Sequence, residues 1–106
     1  MIRNVVLGRL RTGVDLAAVE PALAAIVALR PEGLIDCRVG IDRRLRAESW
    51  DFAITSDFED EQSYRTYDQD PGHNRVRQEL FGPLCADIVR VQFEAGPDGL
   101  AQGARP

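Results

Sequence analysis

The sequence contains no lysine, one histidine, one tryptophan and two cysteines among its 106 residues. All 13 basic residues are arginine, and 17 acidic residues bring the formal charge to -4. This acidic balance argues against binding to a phosphate backbone, so we expect no nucleic-acid partner. The lack of lysine, together with abundant alanine, glycine and aspartate, is typical of a GC-rich coding bias. It therefore does not indicate 13 separate functional guanidinium groups.

Long apolar runs are also lacking. No stretch approaches the roughly 20 apolar residues that a membrane helix needs. The first four residues lead directly into a strand rather than into the core of a signal peptide. We therefore expect a cytoplasmic protein without a membrane partner, and the length predicts a single domain.

The two cysteines predict neither a disulfide framework nor a metal centre. Cys37 and Cys85 are far apart in sequence and lie in apolar or element-boundary contexts. Such thiols are typically buried and reduced, and their spacing does not match that of metal ligands. We predict free thiols, no metal and no cofactor.

Apolar periodicity predicts the element order β-α-β-β-α-β. The predicted strands are residues 2–10, 34–42, 51–58 and 88–94. Asp15 and Asp60 are expected to cap the two main helices, with a distortion at Pro21 and a short third helix after Asp70-Pro71-Gly72. Residues 95–106 are rich in glycine, proline and alanine and predict a flexible tail, so the predicted domain spans residues 1–94.

This order predicts an α+β, ferredoxin-like fold, in which a four-stranded antiparallel sheet carries helices on one face. The second and fourth strands should lie on opposite edges, roughly 14 Å apart, which is too far for a disulfide. The sheet face without helices should mix apolar and polar residues: Val5, Leu7, Leu34, Ala53, Thr55 and Ile88 with Arg9, Asp36, Arg38, Asp57, Arg90 and Gln92. Such a face suits packing against a second copy, so we predict a homodimer.

The only histidine, His73, follows a helix-breaking Asp70-Pro71-Gly72 turn, and Tyr67 lies six residues earlier on the preceding helix. An imidazole takes or gives a proton near neutral pH, and a phenol beside it could share in proton-transfer chemistry. We therefore predict His73 and Tyr67 as catalytic residues. The alternative, more common for a lone histidine after such a turn, is that His73 satisfies the backbone of the next helix.

Gly8 is unusual because a glycine inside a strand forgoes packing, which often marks a close approach by another group. We predict a cavity between sheet and helices at this point. The predicted ligand-binding residues are Asn4, Val6, Gly8, Ile54 and Val76. In the alternative, a bulky helix side chain fills the space over Gly8.

Residues 2–94 resemble the stress-responsive A/B barrel domain family of small dimeric α+β barrels. The resemblance is carried by the opening IRNVVLGRL, the Val39-Gly40 strand end followed by Asp42, Asp57-Phe58, and Tyr67 with the turn from Asp70 to His73. The sequence departs from the family at Asp70 and at Asn4, where histidines are common.

The resemblance implies a homodimeric barrel and, less directly, an activity. One plant member is a polyketide cyclase that catalyses an aldol condensation without a cofactor, and its tyrosine and turn histidine correspond to Tyr67 and His73. Its first-strand histidine corresponds to Asn4, which cannot titrate. The implied function is binding or transformation of a small apolar carbonyl or polyketide-like compound. The alternatives are a non-catalytic stress or assembly protein and a cofactor-independent monooxygenase.

Overall fold

The computed structural model describes residues 1–96 and shows a four-stranded antiparallel sheet in the order β2-β3-β1-β4. The elements are β1 (Ile2–Leu10), α1 (Glu20–Ala28), β2 (Leu34–Ile41), β3 (Phe52–Phe58), α2 (Glu61–Asp68), α3 (Pro71–Val76) and β4 (Cys85–Glu94). The predicted ferredoxin-like βαββαβ order is confirmed. Most of the predicted tail, residues 97–106, lies outside the described residues. Within residues 1–96, no helix has the length and apolar character needed to span a bilayer.

The entry to α1 is irregular, as the proline predicts. A short 3-10 turn (Leu16–Val19) precedes the helix, and the Asp15 carboxylate caps it by accepting a hydrogen bond from the Ala17 N–H at 2.9 Å. Pro21 occupies the first turn of α1, where backbone N–H groups have no intrahelical partner to lose. The regular helix therefore begins at Glu20.

The hydrophobic core lies between α1 and the helix-facing side of the sheet. Its fully or nearly buried members are Leu10, Val19, Ala22, Leu23, Ile26, Phe52, Ile54, Phe81 and Cys85. Phe81 ends a single wide helical turn after α3, closed by a hydrogen bond from the Gly82 N–H to the Arg77 carbonyl at 2.8 Å. The Phe52 and Phe81 rings lie 5.6 Å apart, so this turn is packed directly onto β3.

Gly8 lies opposite Phe52 in the β1–β3 ladder, and the Phe52 ring covers it. A Cβ atom at position 8 would lie 2.0 Å from Phe52 Cζ. The space over Gly8 is therefore filled, by an aromatic side chain of the neighbouring strand rather than by a helix side chain. Glycine is needed here because the tip of the Phe52 ring occupies the space that a Cβ atom would take.

Gly8→Ala is expected to destabilise the protein by about 1–3 kcal/mol, because the methyl group forces Phe52 out of its packed position. The measurement is the free energy of unfolding in urea. Gly40→Ala is the matched control, since Gly40 lies on β2 with no atom within 4 Å of the added Cβ. Equal losses of stability in the two variants would contradict the steric explanation.

The orientation of β4 differs from the prediction. The strand begins at Cys85 rather than Ile88. Three residues, Ile88, Arg90 and Gln92, are predicted for the open face, which is the sheet face without helices. In the structure they lie on the helix side. The ladder pairs are Ile88 with Gly8, Arg90 with Val6, and Gln92 with Asn4. Val89, Val91 and Phe93 consequently lie on the open face, because alternation decides which residues share a face but not which face they share.

The start of β2 also differs. A β-bulge falls between Leu34, which pairs with Phe58, and Asp36, which pairs with Asp57. Leu34 therefore joins the helix side with Phe58, whereas Ile35 lies at the bulge and is 55% exposed. The extra residue of a bulge reverses the alternation locally, which a period-two pattern cannot represent.

Both cysteines are free thiols, as predicted. Cys37 lies on β2 and Cys85 on β4, which are the two edge strands of the sheet. Burial raises the pKa of both thiols above the ordinary value. They are therefore protonated at neutral pH and poorly nucleophilic.

Candidate functional site

A cavity of about 30 Å³ lies between the sheet and the helices. This volume admits roughly a water molecule or two. Five of the predicted site residues form part of its wall: Asn4, Val6, Ile54, Tyr67 and His73. Two others do not, because Phe52 covers Gly8 and Val76 packs against the hydrophobic core.

The turn before His73 builds the start of α3. Asp70 caps the helix, since its Oδ2 accepts a hydrogen bond from the His73 N–H at 2.9 Å, and Pro71 follows in the first turn. The backbone of α3 is thus satisfied by a carboxylate rather than by the imidazole. The predicted alternative role of His73 in capping the next helix is therefore taken by Asp70.

The imidazole contacts the preceding helix instead. His73 Nδ1 lies 3.1 Å from the carbonyl oxygen of Tyr67, near the C-terminal end of α2. A carbonyl oxygen can only accept, so Nδ1 carries the proton and donates it to this bond. Nε2 is then the nitrogen with a lone pair, and it has no hydrogen-bond partner among the described residues.

His73 also stacks on Tyr67. The two ring centroids lie 3.8 Å apart at an interplanar angle of 24°. Phe58 of β3 packs on the Tyr67 ring at 5.1 Å. His73 is 5% exposed and Tyr67 is 7% exposed, so both rings are buried. The Tyr67 ring is held between His73 of α3 and Phe58 of β3.

Burial sets the protonation state of both groups. Loss of water lowers the pKa of His73 to about 4, and the nearby Arg77 cation adds to this effect. Burial likewise raises the pKa of the Tyr67 phenol well above its usual value. At neutral pH the cavity therefore contains a neutral imidazole, which can accept a proton, and a protonated phenol, which can donate a hydrogen bond.

Asn4 and Gln92 form a polar pair at the sheet side of the cavity. The Gln92 Nε2 donates a hydrogen bond to Asn4 Oδ1 at 2.9 Å, and Asn4 is 5% exposed. This bond engages one lone pair of the Asn4 oxygen, and the side-chain N–H groups of Asn4 are donors for a ligand. Asn4 cannot act as an acid or base.

Two arginines in the cavity wall, Arg77 and Arg90, are absent from the predicted site. Arg77 follows His73 by four residues, so the spacing alone places both on one helix face. That signal is present in the sequence but is hidden by the general excess of arginine. The place of Arg90 in the cavity wall depends on the register of β4, where Arg90 pairs with Val6. Because the predicted orientation of β4 was wrong, Arg90 was not expected on this side of the sheet.

The fold and this cavity define a ferredoxin-like α+β protein with a small polar site between sheet and helices. Residues 2–95 match the Stress responsive A/B Barrel Domain, and the chain belongs to this family. The resemblance seen in the sequence is thereby confirmed. No curated protein sequence matches the chain.

Solved structures with the same fold are similar over most of the chain. A dimeric ferredoxin-like protein of unknown function from Thermobifida fusca YX is 31% identical, with a TM-score of 0.77, and the match covers 89% of this chain and 90% of that one. A dimeric protein of unknown function from Bacteroides fragilis is 19% identical, with a TM-score of 0.72 and coverages of 89% and 95%. A hydroxynitrile lyase from Passiflora edulis is 19% identical, with a TM-score of 0.75 and coverages of 91% and 94%.

Proposed function

We propose that this protein binds a small carbonyl compound in the cavity and transfers a proton to or from it without a cofactor. His73 is the base in this proposal and Tyr67 the hydrogen-bond donor. The observation that carries it is the contact of His73 Nδ1 with the Tyr67 carbonyl oxygen at 3.1 Å, which assigns the proton to Nδ1 and leaves the lone pair on Nε2. A buried imidazole held in one tautomer beside a protonated phenol is an arrangement suited to general acid–base chemistry.

The simplest reaction of this kind is enolisation. His73 Nε2 takes a proton from the carbon next to the carbonyl, and the electron pair of that C–H bond forms the carbon–carbon double bond. The carbonyl oxygen becomes an enolate oxygen, to which the Tyr67 hydroxyl donates a hydrogen bond. The product of this step is a nucleophilic carbon, which is also the starting point of an aldol condensation.

The size of the cavity restricts the substrate. A volume of about 30 Å³ admits the carbonyl end of a small molecule but not a whole polyketide chain. Arg90, which is exposed and also forms part of the wall, indicates that the cavity reaches the surface there. We infer that the rest of a substrate lies towards this opening.

The same small volume favours a second candidate, a non-catalytic stress or assembly protein. In that case the stacked pair of Tyr67 and His73 closes the core, and the dimer itself is the functional unit. The two candidates differ in whether His73 Nε2 ever meets a ligand.

We also propose that the protein is a homodimer formed through the open face. Leu7, Val89, Val91 and Phe93 expose between 38% and 54% of their surfaces on this face. Neighbouring polar residues are already paired, with Arg3 donating to Asp57 at 2.7 and 3.0 Å. A contiguous apolar patch beside satisfied polar groups is suited to burial against a second copy, and similar solved proteins are dimeric.

The proposed activity is tested by exchange of the α-hydrogens of 2-butanone in D₂O, followed by proton NMR at neutral pD. His73→Gln is expected to abolish the protein-dependent exchange because the base is lost. Tyr67→Phe is expected to slow it by roughly ten- to a thousandfold, the scale of losing one oxyanion donor. Tyr64→Phe is the matched control, since Tyr64 lies on the same helix outside the cavity wall.

Exchange that is equally fast in wild type and His73→Gln would reject the role of His73. If wild type gives no exchange above buffer with 2-butanone or with a carboxylated analogue, the non-catalytic candidate is favoured. Circular dichroism of each variant establishes that the fold is retained.

A further inference from the structure

The charge of the cavity wall differs from that of the protein as a whole. The chain carries a formal charge of -4, yet the wall formed by the described residues contains two arginines and no aspartate or glutamate. Arg77 is already paired with Asp68 at 2.6 Å, so the unpaired positive charge of this wall is that of Arg90. This local reversal of charge points to an anionic ligand.

Arg77 is fixed in position at this cavity. Its guanidinium donates hydrogen bonds to Asp68 Oδ1 at 2.6 Å and to Asn74 Oδ1 at 3.0 Å. A guanidinium has five N–H donors, so these two bonds orient the group and leave further donors for a ligand.

Arg90 has no ion pair within residues 1–96, and it enters the cavity wall from β4. Arg77 and Arg90 belong to the wall of the same cavity, Arg77 from the helical layer and Arg90 from the sheet.

We propose that the ligand is a small oxo acid whose carboxylate binds between Arg77 and Arg90 while its carbonyl reaches Tyr67 and His73. This inference rests on the proposed function, since it assigns the substrate class of the same site. Guanidinium and carboxylate groups match in geometry and form short, charge-assisted hydrogen bonds. The carboxylate occupies the cavity opening, so only the carbonyl end has to enter the enclosed volume.

An anionic substrate also favours the proton transfer. Arg77 is one of the causes that keep His73 from being protonated, after burial itself. A carboxylate bound to Arg77 offsets that positive charge, so the imidazolium formed during enolisation is less unfavourable. The substrate thus contributes to the basicity of the residue that acts on it.

The test compares 2-oxobutyrate with 2-butanone, which differ by a carboxylate in place of a methyl group. In the D₂O exchange assay, wild type is expected to show a higher kcat/KM for 2-oxobutyrate. Arg90→Gln is expected to reduce the ratio of the two kcat/KM values by roughly ten- to a hundredfold, the scale of one lost charged hydrogen bond. Arg90→Lys, which keeps the charge but not the paired donors, should retain part of the preference.

Arg75→Gln is the matched control. It removes the same charge from an exposed position on α3 outside the cavity wall, so the ratio should stay as in wild type. If Arg75→Gln lowers the ratio as much as Arg90→Gln does, the preference reflects overall charge and the assignment of Arg90 is overturned.

A binding measurement separates this inference from the proposed function. Titration of labelled protein with 2-oxobutyrate, followed by amide NMR, should shift signals around the cavity in wild type and much less in Arg90→Gln. Arg90-dependent binding without exchange would uphold the oxo-acid site and reject the catalytic role of His73. His73-dependent exchange without any preference for 2-oxobutyrate, or no binding of 2-oxobutyrate at all, would overturn the oxo-acid site.

Discussion

Leu7→Glu is expected to convert the protein from a dimer into a monomer. Leu7 lies on the open face, where its ladder partners are Ala53 and Val89. In a face-to-face dimer the substitution buries an unpaired carboxylate in each copy, and such a charge costs about 3–5 kcal/mol. The dimer should therefore weaken at least roughly a hundredfold, which light scattering detects as a fall from twice the chain mass of 11.8 kDa to the chain mass.

Leu80→Glu is the control for this experiment. Leu80 has the same exposed fraction as Leu7, 38%, but lies in the wide helical turn on the other side of the sheet. It should leave the mass at twice the chain value. A wild-type protein that is monomeric at micromolar concentration would reject the dimer and leave the apolar open face without an explanation.

Acidification from pH 7 to pH 5 is expected to destabilise the protein by about 2 kcal/mol through His73 alone. The pKa of His73 is lowered from an ordinary value of 6.5 to about 4 in the folded state. Between these values the unfolded chain binds a proton that the folded protein does not. The stability due to neutral His73 is therefore present above about pH 6.5 and is lost as the pH falls towards 4.

The measurement is the urea unfolding free energy at fixed protein concentration from pH 7 to pH 5, compared with His73→Gln. His73 is the only histidine, so the variant should lose the slope in this range. Asp51 and Asp60, whose pKa values are lowered in the folded state, contribute only at more acidic pH. A wild-type slope that persists in His73→Gln would show that His73 is not held neutral by folding.

The element order was predictable because it depends on local chemistry. Aspartates 15, 60 and 70 each accept a backbone hydrogen bond at the start of a helical segment, as short acidic side chains do at N-caps. Pro21 and Pro71 occupy first turns, where the missing N–H costs nothing. These contacts span only two or three residues, so the sequence contains all the information they need.

The orientation of β4 could not be predicted in the same way. Its alternation separates Val89, Val91 and Phe93 from Arg90 and Gln92, and an ordinary hydrophobic core would take the first set. The structure turns that set away from the helices. The homodimer proposed above supplies a physical reason, because a second copy over the open face would give the apolar side of this edge strand another place to be buried.

Only part of the candidate site was predictable, because some of its contacts are local in the sequence and others join distant segments. Tyr67 and His73 are joined by a short turn, so their stacking follows from local sequence. Arg90 reaches the same cavity from β4 through pairing across the sheet, which no sequence spacing records. The filling of the space over Gly8 by Phe52 likewise depends on a ladder contact between residues 44 positions apart.

The sequence by itself determined the strands and helices, their order, the helix caps and the pairing of the histidine with the tyrosine, because each depends on neighbours along the chain. Only the tertiary structure decided to which side of the sheet the apolar residues of β4 turn, how small the cavity is, and that Arg77 and Arg90 meet at its wall. These features depend on register and burial between distant segments. The protonation state of His73 belongs with them, since it is set by the loss of water around a buried ring and by a cation brought beside it.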